Sequence, residues 1–457
     1  MAGILQGLSY FIRTFGCQMN ENDSERIAGL LEAEGASKAD LIERSDLVIV
    51  NTCAVRAKAE EKLYSFLGRL AKQTRGRDTL VGVVGCVAQV RKAALWEKKR
   101  LVHFILGPGH YDLIPEIVRG KRRERILVTS QSRLWREWPA GRILRGNPWS
   151  AFITIMEGCD NFCSYCVVPF ARGREKFRPG RMILDEIREL ARRGVREVQL
   201  LGQNVNSYRD PETGETFPGL LETVASLDGI EWIRFLTSHP RTFAADLALT
   251  MARNRKVCRQ LHLPVQSGSD TVLERMHRGY GRREYLDKIR ILRDLMPEIS
   301  LSADIIVGFP GETEAEFEDT MRLLEKVRFA NIFSFRYSPR PFAAASREPD
   351  GVPLDVKRQR LVAVQSLQKA VQIDTHRSFL GRTLTVLCEG RSKKGAGSFA
   401  GRSEGNQVVN FSSEAEPEGP FVRVRVTSCG PYSLRGERSG PDPAGPISIP
   451  FAGFHGR

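Results

Sequence analysis

The segment CDNFCSYC, which runs from Cys159 to Cys166, carries the most specific pattern in this chain of 457 residues. Its cysteines Cys159, Cys163 and Cys166 (the loop triplet) are separated by three and then two residues, so one loop can place three thiolates on one face of an iron–sulfur cluster. A closed zinc site needs a fourth ligand, which the loop lacks, although His239 or His262 could fold in. Three ligands on a four-iron cluster leave one iron open to an outside molecule, as a catalytic cluster requires.

The sequence around this loop alternates between strand-like and helix-like patterns. Apolar runs are separated by amphipathic stretches such as Ile183–Arg193 and Glu314–Val327. This alternation predicts an α/β fold with a parallel sheet, and six repeats predict a partial (α/β)6 TIM-like barrel over 149–372, with its site at the carboxyl ends of the strands. The predicted strands are Phe152–Met156, Val198–Leu201, Trp232–Leu236, Leu261–Pro264, Leu301–Val307 and Ile332–Tyr337.

Residues 9–130 predict a second α/β domain with a parallel sheet. Its predicted strands are Tyr10–Phe15, Leu47–Val50 and Leu80–Val84. Cys17, Cys53 and Cys86 (the amino-terminal triplet) each follow one of these strands, where parallel sheets gather ligands. Glycines directly before Cys17 and Cys86 favour tight, site-forming turns. The alternative is that all three cysteines are small buried apolar residues.

The composition changes after about residue 373. Short alternating strands separated by Gly, Ser and Pro predict a small β-barrel over 373–440. The predicted strands are Leu384–Glu389, Gln407–Phe411 and Phe421–Thr427. Residues 131–148 are predicted to form a basic linker, and 441–457, rich in Pro and Gly, a mobile tail.

The charge of the chain indicates a polyanionic partner. A formal net charge of +15 allows clustered Lys and Arg to release phosphate counterions, although a basic surface that only aids solubility is the alternative. The chain contains no apolar run of about 18 or more residues, so the sequence predicts no membrane span. The first ten residues lack the features of a secretory signal. We therefore expect a cytoplasmic enzyme in which the placement of the cysteines indicates metal or cluster binding rather than disulfides, and in which Cys258, Cys388 and Cys429, which lack partners at ligand spacing, are bystanders.

Motifs throughout the chain carry a resemblance to known families. The loop triplet resembles the signature of the radical S-adenosylmethionine superfamily, and the flanking motifs resemble those of the methylthiotransferases. The carboxyl-terminal segment resembles the TRAM RNA-binding barrel, and the likeness spans about 10–438. The motifs lie at 14–20, 51–56, 85–86, 156–175, 201–208, 237–240, 263–269, 308–313, 389–390 and 433–437.

The motif GCQMN, residues 16–20, is similar to the branch of tRNA-2-methylthio-N6-dimethylallyladenosine synthases. This resemblance implies methylthiolation of C2 of N6-dimethylallyladenosine at position 37 of tRNA. It implies one 4Fe–4S cluster on the amino-terminal triplet and a radical-generating 4Fe–4S cluster on the loop triplet. S-adenosylmethionine would supply both the methyl group and the radical. Further expected partners are tRNA and an electron donor such as a flavodoxin-type reductase system, and the expected state is a monomer.

Six further residues are weaker candidates for contacts with S-adenosylmethionine. They stand in the loop or at and just after predicted barrel strands, where such sites form. The candidates are Tyr165, Gln203, Asn204, Gln266, Ser267 and Asp304. As alternatives, the two glutamines tie loops together and Tyr165 packs in the core. Arg172 and Arg174 contact substrate phosphate or form ion pairs.

Three positions depart from the family's usual pattern. Phe342 stands where relatives usually have Gly, Phe177 where they have Ser, and Ala303 where they have Thr. None is an expected cluster ligand, so these differences concern loop shape and substrate fit.

Three other functions remain open at this stage. One is a methylthiotransferase acting on threonylcarbamoyl-adenosine in tRNA or on a ribosomal protein. Another is a non-catalytic RNA-binding protein with structural metal. The third, a simple S-adenosylmethionine methyltransferase, leaves both triplets unexplained.

Overall fold

The computed structural model describes residues 4–120, 124–131, 135, 143–392 and 397–440. Most of the predicted basic linker, namely 132–134 and 136–142, and the whole predicted tail 441–457 lie outside the described residues. The predicted fold class is confirmed: an α/β unit with a parallel sheet is followed by a partial α/β barrel and a small closed β-barrel.

The amino-terminal unit is a parallel sheet with helices on both faces. Its strands are β1 (Ser9–Phe15), β2 (Ser37–Lys38), β3 (Leu47–Thr52), β4 (Leu80–Val84), β5 (Phe104–Leu106) and β6 (Ile126–Val128). Its helices are α1 (Gln18–Ala33), α2 (Ala57–Gln73), α3 (Cys86–Arg91), α4 (Ala94–Lys98) and α5 (Ile114–Arg119). Among the described residues the strand order is β2-β1-β3-β4-β5-β6.

The apolar run at the start of β3 explains the two layers of helices. Successive side chains of a strand point to opposite faces. Val48 and Val50 therefore join the core that contains Leu63 of α2, whereas Leu47 and Ile49 join the core that contains residues of α1 and α5. With both faces buried, every cysteine of the amino-terminal triplet is confined to the edge of the sheet where the strands end.

The central unit is an arc of parallel strands with helices outside. Its strands are β7 (Ser150–Thr154), β8 (Met156–Glu157), β9 (Lys176–Phe177), β10 (Glu197–Leu201), β11 (Trp232–Phe235), β12 (Gln260–His262), β13 (Ser300–Val307) and β14 (Asn331–Arg336). Its helices are α6 (Val168–Arg172), α7 (Gly180–Arg192), α8 (Phe217–Ala225), α9 (Ala245–Arg253), α10 (Asp270–Arg275), α11 (Arg282–Leu295), α12 (Glu314–Val327) and α13 (Leu354–Arg377). Among the described residues two three-stranded sheets, β11-β10-β7 and β12-β13-β14, form the arc.

A parallel bridge between Ile233 and Val257 continues the arc from one sheet toward the other. The predicted carboxyl-terminal boundary of the strand Phe152–Met156 is wrong, because β7 ends at Thr154. Met156 pairs instead with Phe177 in the antiparallel β8–β9 ribbon, because the chain turns there to enclose the cysteine loop.

The carboxyl-terminal unit is a closed barrel of order β15-β16-β17-β19-β18 within the described residues. Its strands are β15 (Thr383–Arg391), β16 (Ser398–Ser403), β17 (Val408–Ser412), β18 (Phe421–Cys429) and β19 (Leu434–Arg438). The sequence pattern missed β16 and β19, each of which contains a glycine. A Cβ on Gly401 or Gly436 would lie 2.2 or 2.3 Å from the carbonyl oxygen of a neighbouring strand, so these glycines allow close strand approach rather than turns.

The small barrel docks on β11 through an aromatic contact and through hydrogen bonds from a buried arginine. The rings of Trp232 and Phe421 meet edge to face at 4.9 Å. Arg234 pairs with Glu197 at 2.6 Å and donates to the carbonyl oxygens of Ser403 and Glu404, both at 2.8 Å. The barrel is therefore fixed to the central unit by buried contacts. In the described part of the chain, no helix combines the length and apolar character that crossing a membrane requires.

Candidate functional site

The loop triplet follows β7 at the carboxyl edge of the central sheet. Gly158 has φ of +84°, and a Cβ there would lie 2.0 Å from the carbonyl oxygen of Arg174, so this position requires glycine. The backbone N–H of Cys159 donates to the carbonyl oxygen of Gly173 at 3.2 Å. The segment around the β8–β9 ribbon thus holds the first cysteine of the loop.

The thiols of the loop triplet act on one another electrostatically. Burial raises the pKa of Cys166 to about 12, and Cys163 and Cys159 act in the same direction. Burial also raises the pKa of Cys159, against hydrogen bonds from Asn161. Because such charge effects act at short range, the fold has gathered three sulfurs in one place.

Two buried side chains are directed at the sulfur of Cys163. Arg278 Nη1 donates to Cys163 Sγ at 3.4 Å, and His239 Nε2 lies 3.8 Å from the same sulfur. His239 Nδ1 accepts the backbone N–H of Arg241 at 3.1 Å, so the neutral ring carries its proton on Nε2. Burial, together with Arg278, lowers the pKa of His239 to about 2, which keeps the ring neutral. His239 is therefore a hydrogen-bond donor to Cys163 and not a zinc ligand.

The amino-terminal triplet lies where β1, β3 and β4 end. Cys17 is the N-cap of α1, Cys53 follows β3, and Cys86 is the first residue of α3. A hydrogen bond with Cys53 lowers the pKa of Cys17 to about 6 despite burial, and Arg172 adds to this effect. Burial and the neighbouring Cys17 raise the pKa of Cys86, which Arg172 opposes. The three thiols thus share one buried pocket.

Two buried asparagines explain the motifs around the amino-terminal triplet. Asn20 Nδ2 donates to Asn51 Oδ1 at 3.0 Å, and Asn51 Nδ2 donates to the Asn20 carbonyl oxygen at 2.8 Å. Gly85 has φ of +90°, and a Cβ there would lie 2.3 Å from Asn51 Oδ1. The asparagine pair joins α1 to β3 and fills the space beside Gly85, so it holds the turns that carry the cysteines.

Arg172 links the two triplets. It ends α6, which starts at Val168, two residues after Cys166. Arg172 Nε donates to Cys86 Sγ at 3.4 Å, while its Nη2 pairs with Asp23 of α1 at 2.5 Å. The sequence left Arg172 as a phosphate contact or an ion pair, and the structure shows the ion pair. The guanidinium of Arg172, which belongs to the central unit, therefore contacts the amino-terminal triplet.

Helix α1 packs directly against β7. Thr154 Oγ1 donates to Asn22 Oδ1 at 2.9 Å, and the Gly146 N–H donates to Glu25 Oε1 at 3.0 Å. Since α1 begins directly after Cys17 and β7 leads into the cysteine loop, this packing sets one triplet against the other. The sequence contained no local signal for this contact.

Three of the candidates for S-adenosylmethionine contact are engaged by the protein itself. The N–H of Gly158 donates to Gln203 Oε1 at 2.5 Å, so this glutamine ties its loop to the cysteine loop. Asn204 is buried and bonded to Thr242 at 3.3 Å. Ser267 is buried and its hydroxyl lies 3.2 Å from that of Thr320.

Together, the side chains of the other three candidates form fewer hydrogen bonds among the described residues. Asp304 lies on β13, with its carboxylate 3.6 Å from His262 Nε2. Gln266 has φ of +76° and continues β13's sheet through a bridge to Ile305. Tyr165 packs partly in an apolar cluster, and its hydroxyl accepts from Arg278 at 3.3 Å. Arg278 itself was missed by the sequence analysis, because no local motif marks it.

Both triplets fit an iron–sulfur cluster better than a single metal ion. Within the described residues, no group of three or more His, Cys, Asp or Glu is arranged to hold a metal ion. Each triplet instead offers thiols in mutual electrostatic contact, with arginine donors at Cys86 and Cys163. Thiolates are the ligands of four-iron clusters, and hydrogen bonds to their sulfurs tune such clusters.

Glu316 supports the loop that carries two of these candidates, and it makes stability depend on pH. Burial raises the pKa of Glu316, but hydrogen bonds from Arg275, Thr271 and the Thr313 N–H lower it to about 2. Since the folded pKa lies below that of the unfolded chain, Glu316 stabilises the fold above about pH 4.5 and loses this effect as the pH falls toward 2. We expect Glu316→Gln to lower the urea midpoint at pH 7, and the difference from wild type to shrink as the pH falls through this range.

The control for this prediction is Glu318→Gln on the same helix, whose pair with Arg322 is exposed on both sides. Exposed pairs contribute little, so its urea midpoint should follow wild type at every pH. A Glu316→Gln deficit that stays constant down to pH 3 would contradict the assignment.

Three parts of the chain match known families. Residues 9–107 match the uncharacterized protein family UPF0004, 153–324 match the Radical SAM superfamily and 377–438 match the TRAM domain.

Relatives cover almost the whole chain. The tRNA-2-methylthio-N(6)-dimethylallyladenosine synthase of Geobacter metallireducens is 47% identical over 433 residues, which is 93% of this chain and 97% of that protein. The protein of the same name from Geobacter sulfurreducens is 46% identical over 93% of this chain and 96% of its own length. That of Syntrophotalea carbinolica is 42% identical over 94% and 99%.

Solved structures share the fold at low sequence identity. The radical S-adenosylmethionine methyltransferase TsrM from Kitasatospora setae, with cobalamin and a [4Fe-4S] cluster bound, has a TM-score of 0.54 and 15% identity. The match covers 75% of this chain and 77% of that one. The cobalamin-dependent S-adenosylmethionine radical enzyme OxsB has a TM-score of 0.51 and 10% identity, covering 80% and 57%.

Proposed function

Because the chain belongs to the tRNA-2-methylthio-N6-dimethylallyladenosine synthase family, we propose that its two cysteine triplets serve one reaction. The protein is a radical S-adenosylmethionine enzyme that methylthiolates C2 of N6-dimethylallyladenosine in tRNA. It uses S-adenosylmethionine and two 4Fe–4S clusters. We place the target at position 37. The observation that carries the proposal is that α1 brings the amino-terminal triplet to the barrel end that holds the loop triplet.

We assign the radical-generating cluster to the loop triplet and the auxiliary cluster to the amino-terminal triplet. The bound clusters and S-adenosylmethionine supply the radical and sulfur chemistry, which an unactivated aromatic C–H bond needs because acid–base groups cannot remove its hydrogen. The chain's own residues hold these groups. Arg278 and His239 donate to Cys163, and Arg172 donates to Cys86.

Tyr165, Gln266 and Asp304 remain our candidates for direct contact with S-adenosylmethionine. Gln203, Asn204 and Ser267 are bonded within the protein and are assigned to holding the loops around it. A contact between one of these three residues and S-adenosylmethionine would use a donor or acceptor that is not already bonded within the protein.

The three units divide the work. We propose residues 9–130 as the auxiliary-cluster domain, 149–372 as the radical domain and 373–440 as the RNA-binding domain. The exposed side chains of Arg425 and Arg435 on the small barrel are suited to phosphate contact. This division agrees with the positions of the three family matches.

Three properties of the working enzyme complete the proposal. A flavodoxin-type reductase system supplies the electron that cleavage of S-adenosylmethionine at the radical-generating cluster requires. The enzyme acts as a monomer, since one chain provides both triplets and the RNA-binding barrel. It works in the cytoplasm, where its tRNA substrate is made.

The test is anaerobic reconstitution of the full chain with iron and sulfide, followed by reaction with prenylated tRNA. We expect both 5′-deoxyadenosine and the 2-methylthio nucleoside by mass spectrometry. Unprenylated tRNA and threonylcarbamoyl-adenosine tRNA serve as matched substrates and should yield no methylthio product. Product from threonylcarbamoyl-adenosine tRNA alone would assign the enzyme to a different branch.

A further inference from the structure

Two phenylalanine rings contact each other in a tilted arrangement at the surface next to the loop triplet. Phe170 and Phe342 (the rim aromatic pair) have ring centroids 5.6 Å apart at an interplanar angle of 33°. Their exposed fractions are 39% and 53%, which is large for rings that already contact each other. Aromatic surface left in water is the usual mark of a binding site rather than of core packing.

The backbone of Phe342 is strained, and the surrounding turn holds the strain. Phe342 has φ of +69°, in the left-handed region that favours glycine. The Ala343 N–H donates to the Arg340 carbonyl oxygen at 3.2 Å, and the Ala345 N–H donates to the Ser164 carbonyl oxygen at 2.8 Å. Since Ser164 lies within the loop triplet's segment, the exposed ring is fixed relative to that site. Strain held in this way is typical of functional positions.

The rim aromatic pair lies on segments that adjoin both triplets. Phe170 belongs to α6, directly after the cysteine loop, and Phe342 follows the carboxyl end of β14. Arg340, two residues before Phe342, interacts electrostatically with Cys53 of the amino-terminal triplet. The pair is therefore next to the loop triplet in the chain and, through Arg340, close to the amino-terminal triplet.

The charges around the pair suit a phosphate backbone. Arg336 ends β14 six residues before Phe342 and Arg347 follows it by five residues; both are exposed, and neither forms an ion pair with a carboxylate of the described residues. Of the carboxylates nearby, Glu348 is exposed in the same segment and Glu60 and Glu61 interact with Arg340, whereas the carboxylate of Asp350 is paired with Lys357. Free arginines beside exposed aromatic rings match single-stranded RNA, whose bases stack on rings while its phosphates pair with cations.

We propose that the rim aromatic pair is a stacking platform for one unpaired base of the tRNA anticodon loop, adjacent to the target adenosine. The base stacks on the outer face of Phe342, and Arg336 and Arg347 contact the phosphates beside it. This inference rests on the proposed function, because it takes the anticodon loop as the substrate. It adds a recognition site outside both triplets.

The test is a thermodynamic cycle between Phe342→Gly and abasic sites placed one at a time in the loop of a prenylated anticodon stem-loop. Dissociation constants are measured for the reconstituted full-length protein under anaerobic conditions. At one loop position, removing the base should weaken binding to wild type about 10-fold but binding to Phe342→Gly by less than about 2-fold. Phe342→Trp keeps an aromatic ring, so removing the same base should again weaken binding about 10-fold. Val362→Ala, at an exposed position on α13, is the control and should behave as wild type.

Other outcomes overturn the proposal. Equal weakening of every stem-loop by Phe342→Gly would mean that the ring acts on the protein's structure and not on a base. Unchanged RNA affinity with slower reduction by a flavodoxin-type donor would assign the pair to a protein partner. If wild type fails to bind the prenylated stem-loop at all, the proposed function fails with it. Binding by wild type without coupling refutes the platform alone.

Discussion

In the Cys163→Ala variant we expect 5′-deoxyadenosine formation to fall below detection and the iron content to fall from about eight to about four per chain. Cys163 is the buried middle cysteine of the loop triplet and one of our proposed cluster ligands, and the Arg278 and His239 donors converge on its sulfur. Alanine removes one of the three thiols and with it the acceptor of the His239 proton, whereas Arg278 Nη1 keeps the Tyr165 hydroxyl as an acceptor. The measurements are iron analysis of anaerobically reconstituted protein and quantification of 5′-deoxyadenosine in the presence of a chemical reductant.

Two other cysteine variants separate the roles of the triplets. Cys86→Ala should also lose about four irons, yet it should keep 5′-deoxyadenosine formation and lose the methylthio product. Cys258→Ala is the matched control, because Cys258 is as buried as Cys163 but lies beside Trp232, away from either triplet. It should retain about eight irons. Full 5′-deoxyadenosine formation by Cys163→Ala would remove the basis for assigning the loop triplet to radical chemistry.

In the Arg172→Met variant we expect the free energy of unfolding to fall by about 3–5 kcal/mol, as when one partner of a buried ion pair is removed. Arg172 and Asp23 form this pair with side chains only 3% and 1% exposed. Methionine fills similar space but leaves the Asp23 carboxylate buried with the Tyr111 hydroxyl as its remaining donor. The pair also joins the amino-terminal and central units, so the loss should separate their unfolding transitions. Urea denaturation followed by tryptophan fluorescence and circular dichroism measures both effects.

Arg174→Met is the matched control for this prediction. Arg174 pairs with Asp160 at 2.7 Å, but its side chain is 64% exposed, so solvent screens the pair. We expect a change of about 0–1 kcal/mol. A second readout concerns the auxiliary site: Arg172→Met removes a donor to Cys86 and should shift the reduction potential of the auxiliary cluster, whereas Arg174→Met should not. Equal effects of the two variants would show that the buried pair has no special role.

The candidate site was predictable where short motifs encode it. The spacing of the loop triplet and the strand-end positions of Cys17, Cys53 and Cys86 are visible in the sequence, because ligands on loops after strands need only local chain geometry. The family assignment and the α/β, barrel and β-barrel architecture were likewise predicted and are confirmed. The end of β7 and the strands β16 and β19 were not, because pairing with distant strands overrides weak local patterns.

The residues that surround the cysteines were decided by tertiary structure. Arg278 reaches Cys163 from 115 positions away, and Arg172 reaches Cys86 from 86 positions away. Neither contact has a sequence signature, because arginines at or near helix ends are common and most of them lie on the protein surface. The exposed Phe342 ring is similar: its identity is written in the sequence, but its positive φ and its partner Phe170 appear only in the folded chain.

The sequence alone showed which thiols this protein can offer to a cluster, because cysteine spacing and strand periodicity are local patterns, and its motifs indicated the family whose chemistry these thiols would serve. Only the folded chain decided that α1 packs against β7, which brings the two triplets to the same end of the central unit, and which arginines donate to their sulfurs. The physical reason is that tertiary packing joins side chains that are far apart in the chain. No short segment therefore contains both partners of such a contact.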